Sequence, residues 1–268
     1  MAKISAKMVK ELRDKTGAGM MDCKKALVAS DGDHELAIDN LRKSGIAKAE
    51  KKAERTVKEG CVSISINENT AVALELLCET DFVAKNEQFI ALNDSLSTSL
   101  MDDFSEEGDL TDALNEKKKN QLTEVIAKLG ENIQLRRALR WNSESGTFTS
   151  YSHMGGKIGI LLETEGDAEE GILDDLAMHI AAFNPDFISS DEISEEKIAK
   201  EREIAAAQVE GKPKNIIGKI VEGKIKKWFT QVCLVKQPWI KDDKSSLEKI
   251  APNLKVKRFI RWEMGGSL

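Results

Sequence analysis

The chain is poor in aromatic residues: only 5% of its 268 residues are Phe, Trp or Tyr, and only one is tyrosine. An aromatic side chain in an unusual place therefore carries information. The four cysteines, Cys23, Cys61, Cys78 and Cys233, are scattered and form no Cys-x-x-Cys pair. Together with three histidines they offer no metal-ligand spacing, and they read as reduced, mostly core thiols. Neither a metal nor another cofactor is expected. No apolar run approaches the ~20 residues that a membrane-spanning helix needs. The stretch Met1 to Lys7 has no signal-peptide apolar region and no Arg/Ser-rich transit character. A cytoplasmic location without membrane binding is the expectation.

Catalytic signatures are also missing. There is no Gly-rich phosphate loop followed by Lys-Ser/Thr, and no Gly-x-Ser-x-Gly elbow. Gly155-Gly156-Lys157 falls in a hairpin turn. His34, His153 and His179 are isolated, and the acidic pairs Asp102-Asp103 and Asp242-Asp243 sit in polar stretches. A net charge of −6 argues against nucleic acid as a partner. Arg136, Arg137 and Arg140 make a basic strand face without the aromatic interleaving of a single-strand binder. The residues describe a binding protein with no catalytic residue of its own.

What is present divides into segments. Residues 1–45 read as three short helices. Ser5 caps the first, which places Met8, Val9 and Leu12 on one face; the second carries Cys23, Ala26 and Leu27 inward; Asp33 caps the third, which buries Leu36, Ala37 and Leu41 and stops at Gly45. Met20 and Met21 lie at the bundle's turn, where methionine serves as core filler or as an adaptable contact. Residues 46–58, rich in Lys, Glu and Ala, read as a solvated helical linker. From Cys61 the period becomes two, giving a hairpin with one buried face and a turn at Asn67 to Thr70. A helix follows, with Phe89, Leu92, Leu96 and Leu100 on one stripe. Met101 to Leu114 reads as an acidic loop. Leu122, Val125, Ile126 and Leu129 mark another helix, and Ile133 to Trp141 a strand.

That strand occurs twice. Asn132 to Trp141 matches Asn253 to Trp262 at an offset of 121 residues (132 to 253). Glu79-Thr80-Asp81 resembles Glu163-Thr164-Glu165 at an offset of 84 (79 to 163). The body is thus expected to be two α+β units, residues 59–142 and 143–268. The second holds an insertion of 37 residues, the difference of the offsets (121 − 84). The insertion matches two helices joined at Glu210-Gly211-Lys212-Pro213, an antiparallel arm over about residues 193–229. Its role is local packing, contact with a partner, or dimerisation.

One junction breaks the usual pattern. Thr80-Asp81-Phe82-Val83 places two apolar residues where a strand turns into a helix. The second copy has no apolar equivalent, which favours presentation of Phe82 over burial.

The runs Thr16 to Leu27, Asp33 to Gly45, Thr80 to Asn86 and Leu129 to Asn132 together resemble the bacterial elongation factor Ts family. So do Tyr151-x-His153, Ala177 to Ala182 and Gly211-Lys212-Pro213, and the likeness covers essentially the whole chain. The resemblance implies a guanine-nucleotide exchange factor for elongation factor Tu, with an N-terminal bundle like a ubiquitin-associated domain and a coiled-coil arm. It implies that Asp81 and Phe82, flanked by Thr80 and Val83, intrude near the partner's nucleotide site and disturb its magnesium ion. It implies further contacts through Leu12, Met20, Met21, Leu129, Gly130 and His153. This chain itself would then bind no nucleotide. Two other readings are an adaptor or RNA-binding protein using the bundle and arm, and an enzyme built on the duplicated core. The chain stops at Gly265 to Leu268, where some members carry a further helical module.

Overall fold

The computed structural model describes residues 4–209 and 214–267. Gly211-Lys212-Pro213, expected at the tip of the arm, lies outside the described residues.

Three helices open the chain: α1 (Ala6–Thr16), α2 (Met20–Ala29) and α3 (His34–Lys52). The Ser5 hydroxyl accepts from the Met8 N–H and caps α1, and the Asp33 carboxylate accepts from the Glu35 and Leu36 N–H groups and caps α3. Each such cap contributes about 1 kcal/mol. Val9, Leu12, Cys23, Ala26, Leu27 and Ala37 make a small shared core. Two expectations need correction. Leu36 is exposed, and Gly45 does not end the third helix. α3 runs seven residues past it because Gly45 is buried against the next unit: a Cβ there would lie 3.3 Å from that of Ala127. The supposed linker is therefore largely the second half of a docked helix. Ala49 packs on the adjoining core.

The first unit contains β1 (Glu59–Asn67), β2 (Thr70–Cys78), the short α4 (Asp81–Ala84), α5 (Glu87–Asp102), β3 (Gly108–Asp109), α6 (Thr111–Leu129) and β4 (Ile133–Asn142). Its antiparallel sheet has the order β1-β2-β4-β3. The acidic loop expected from Met101 to Leu114 is shorter than its composition suggests. α5 and α6 claim both its ends, and β3 pairs with β4 in between. Phe89, Leu92, Leu96 and Leu100 of α5 and Leu122 and Ile126 of α6 cover Val72, Leu74, Leu76 and Cys78 of β2.

The second unit contains β5 (Thr147–His153), β6 (Ile158–Glu165), α7 (Ile172–Phe183), α8 (Glu195–Ala207), α9 (Lys214–Val232), α10 (Leu247–Ile250) and β7 (Lys255–Glu263). Its antiparallel sheet has the order β5-β6-β7. Leu176, Ala177 and Ile180 of α7 cover Ile160 and Leu162 of β6. α8 and α9 pack on one another through Ala205, Val221 and Ile225, with Val209, just beyond α8, in the same cluster.

The two sheets meet face to face. Ala71, Ala73 and Trp141 of the first share a cluster with Phe148 and Leu161 of the second. β2 is therefore buried on both faces, not one: helices cover its large side chains, and the other sheet covers its alanines. The small side chains allow the close approach.

This layer corrects the register of the duplication. Glu75 of β2 stands opposite Arg137 of β4, and Glu163 of β6 stands opposite Arg258 of β7. Both strands carry a β-bulge immediately after that glutamate, at Glu75/Leu76 and at Glu163/Thr164. The equivalent of Glu163 is thus Glu75, an offset of 88 (75 to 163), and the insertion is 33 residues (121 − 88). A Glu-Thr-acid likeness four residues out of register misled the sequence comparison. The bulge and its ion pair are features of long-range pairing, invisible along one strand.

Candidate functional site

The junction after β2 is built from the backbone upward. Thr80 is extended, and its hydroxyl accepts from the Val83 N–H, capping α4. Val83 and Ala84 turn inward and pack against the first unit's core. Phe82 turns outward and is 82% exposed, the most exposed of the large apolar side chains among the described residues. Asp81 is also exposed and pairs with Lys85 at 2.9 Å. That hydrogen bond, with the lysine's charge, holds the Asp81 carboxyl below the usual carboxylate range. The sequence-based choice between burial and presentation is resolved for Phe82: the ring lies in solvent.

The turn is held from below by residues whose structural part the sequence did not reveal. The Glu131 carboxylate accepts from the Glu79 N–H at 3.1 Å, the Thr80 N–H at 3.0 Å and the Thr80 hydroxyl at 2.7 Å. In return, the Glu79 carboxylate accepts from the Asn132 N–H at 2.7 Å. The Asn132 amide, almost fully buried, donates to the Ala53 and Arg55 carbonyls just beyond α3. One knot thus joins the end of the bundle's long helix, the end of β2 and the start of β4. A clue was present in the sequence: Asn132 is repeated at Asn253, but the residue before it is Glu131 in one copy and Pro252 in the other.

Leu129 and Gly130 lie beside this knot. Leu129 is half-buried against the same core as Val83. Gly130 ends α6 in the left-handed conformation, φ 81°, and its N–H donates to the Ile126 carbonyl. A side chain there would be strained, which explains the glycine. The structure therefore brings Thr80, Asp81, Phe82, Val83, Leu129 and Gly130 to one end of the first unit.

Met20 and Met21 are 47% and 62% exposed at the start of α2, so neither is core filler. Leu12 is different. It is fully buried among Val9, Cys23 and Leu27 and has no surface to offer a partner. Its expected contact role is withdrawn, because the bundle is too small to core itself without it.

His153 ends β5, and its ring stacks on Tyr151, whose hydroxyl lies 3.0 Å from Nδ1. The following turn seats itself on β1. The Gly156 carbonyl accepts from the Val62 N–H at 2.7 Å, and Lys157 pairs with Glu59. A Cβ on Gly156 would meet that of Cys61 at 2.9 Å, so glycine is needed for the approach. Glu59 in turn stands opposite Cys78, the last residue of β2. His153 is thereby carried on the second unit towards the end of the sheet from which the Phe82 turn emerges.

The arginines of β4 prove to be internal partners. Arg136 and Arg137 both donate to the buried Glu75, and Arg140 is itself buried, donating to the Ser105 and Glu106 carbonyls. Among the described residues, no three His, Cys, Asp or Glu side chains gather in a way that could hold a metal ion. No helix among them is long and apolar enough to cross a membrane. Cys61 and Cys78 are free thiols that burial pushes up to about 11 and about 12.

The site is a presented aromatic on a braced turn, which is the geometry of a contact surface. A family model, Elongation factor TS, matches residues 79–266, from Glu79, just before the turn, almost to the end of the chain. The chain belongs to the elongation factor Ts family, the translation elongation factors that exchange nucleotide on elongation factor Tu.

Proposed function

We propose that this chain promotes GDP release from elongation factor Tu by inserting Phe82, with Asp81 beside it, near the partner's nucleotide site and so disturbing its magnesium ion. The observation that carries this reading is the exposure of Phe82 on a turn whose backbone is fixed. Leaving a phenyl ring in water forgoes roughly 1.5–3 kcal/mol of burial, which a partner's pocket can recover. A backbone already held in place loses little further entropy on docking. The exchange follows from linkage: a binder that prefers the nucleotide-free partner weakens nucleotide binding by the same factor that nucleotide weakens its own. Magnesium is a natural target, because the ion is the largest local charge at a nucleotide phosphate site.

The bundle, UBA-like in this reading, docks through Met20 and Met21 on the partner's nucleotide-binding domain. Leu129, Gly130 and His153 add contacts from the two core units. The chain binds no nucleotide, nucleic acid or membrane directly, and it works in the cytoplasm. The α8–α9 arm acts as a coiled-coil projection and a surface for dimerisation.

The test is GDP release from elongation factor Tu with the Phe82→Ala chain. The exposed position predicts normal folding and a slowed release at saturating chain. Release at the wild-type rate would overturn the wedge role.

A further inference from the structure

We propose that Glu131 is the positioning residue of the exchange surface: its carboxylate holds the Thr80–Val83 turn in the one conformation that presents Phe82. The proposal rests on the reading of Phe82 given above.

Three features support it. First, one carboxylate takes all three donors at the start of the turn: the Glu79 N–H, the Thr80 N–H and the Thr80 hydroxyl. Hydrogen bonds to an ionised acceptor are roughly twice as strong as neutral ones. Second, the same Thr80 hydroxyl oxygen accepts from the Val83 N–H. Glu131 therefore orients the cap of α4, and through it the two residues between, Asp81 and Phe82. Third, the duplicated unit supplies an internal control. In the corrected register Glu79, Thr80 and Phe82 correspond to Asp167, Ala168 and Glu170, and Glu131 corresponds to Pro252. The second unit keeps the sheet, the bulge and the buried glutamate but lacks both the presented aromatic and the carboxylate beneath it. A clamp needed by the shared fold would be in both copies. This one accompanies the aromatic.

Glu131 is 121 residues before a proline in the repeat and 51 residues after Thr80. It lies in the turn from α6 to β4, directly after Gly130. Contact at Leu129 and Gly130 would therefore bear on the same segment that holds Phe82. This gives the two contact patches a common support instead of separate ones.

The test is stimulated release of a fluorescent GDP analogue from elongation factor Tu, measured as a function of chain concentration. Four full-length chains are compared: wild type, Glu131→Ala, Phe82→Ala and the double variant. Glu131→Ala is expected to lower the saturating rate about tenfold, because the competent turn becomes a minor conformer. In the Phe82→Ala background the same change is expected to have no further effect. Glu131→Gln is expected to stay within about threefold of wild type, since its amide oxygen can still accept from both N–H groups. Hydrogen exchange at the Glu79 and Thr80 amides gives a readout that does not depend on activity. It should rise in Glu131→Ala without a matching rise in the β2 core. If Phe82→Ala does not slow release, both this proposal and the wedge reading fall. If Phe82→Ala slows release but Glu131→Ala does not, only the positioning role falls. It also falls alone if Glu131→Ala costs the same factor with and without Phe82, or if exchange rises throughout β2, as a general loss of stability would produce. If Glu131→Ala does not fold, Thr80→Val removes one of the three bonds and the cap, and the same non-additivity with Phe82→Ala is required of it.

Discussion

The guanidinium of Arg258 lies 4.5 Å from the centre of the Trp141 ring, across the boundary between the two sheets. Its counterpart in the repeat, Arg137, lies 4.5 Å from the centre of the Trp262 ring. Each copy thus lends its arginine to the other's tryptophan. Both arginines also bind a buried glutamate in their own sheet, Glu75 for Arg137 and Glu163 for Arg258. Burial alone would push the Glu163 carboxyl up. The Ser143 hydroxyl, Arg258 and Lys257 outweigh it and hold the group below the usual range. The two units are therefore joined by a paired, nearly symmetric polar layer set among apolar side chains.

That layer should be sensitive to removal of one charge. Glu75 is fully buried, and Glu75→Ala would leave Arg136 and Arg137 without their carboxylate partner, with only the Gly266 and Glu263 carbonyls to accept from them. A loss of about 3–5 kcal/mol is expected, the usual cost of an uncompensated buried charge. Urea denaturation measures it. Arg55→Ala, which breaks an exposed pair with Glu79, should cost less than ~1 kcal/mol. Equal losses from the two variants would contradict this account of the interface.

The docking of the bundle depends on Gly45. A glycine inside a helix costs about 1 kcal/mol relative to alanine, so its presence needs a reason. The reason is the closeness of α6, where a Cβ would lie 3.3 Å from that of Ala127. Gly45→Leu should cost about 1–3 kcal/mol through overpacking, or move the bundle away from α6. A spin-label pair, one on α1 and one on α6, reports the second outcome. Unchanged distance together with unchanged stability would show that the contact does not fix the bundle.

His179 makes a prediction about pH. It is fully buried between Phe183 and Trp239, with Nε2 3.0 Å from the Gln237 amide oxygen and Nδ1 without a partner among the described residues. Burial lowers its pKa, and the Gln237 contact only partly opposes that. A histidine whose folded value is depressed binds its proton first in the unfolded chain. Its contribution to stability is therefore present above the ordinary value of 6.5 and lost as pH falls towards the folded value. NMR titration of the His179 imidazole should place its midpoint below 6.5. A midpoint at or above that value would mean that water or a counter-charge reaches the ring.

The sequence by itself determined the elements whose signals are local. The period-two runs gave β1, β2 and β4, the stripe from Phe89 to Leu100 gave α5, and Ser5 and Asp33 announced their helices. Repetition of one strand disclosed the duplication. The misplaced aromatic at Phe82 was legible because aromatics are few and the second copy does without one. Tertiary structure decided what depends on partners distant in the chain. The continuation of α3 through Gly45 follows from Ala127, 82 residues away (45 to 127). The pattern of the first helix already set Leu12 on its apolar face, but that no part of it is left for a partner follows from how little core a three-helix bundle has to share. The true register of the repeat needed the Glu75–Arg137 and Glu163–Arg258 pairs. The bracing of Phe82 needed Glu131, whose bonds to Glu79 and Thr80 join ends of elements that no periodicity connects. Local sequence sets which face of a strand or helix is apolar, but which faces meet, and which polar group finds which, is fixed only when the chain closes on itself.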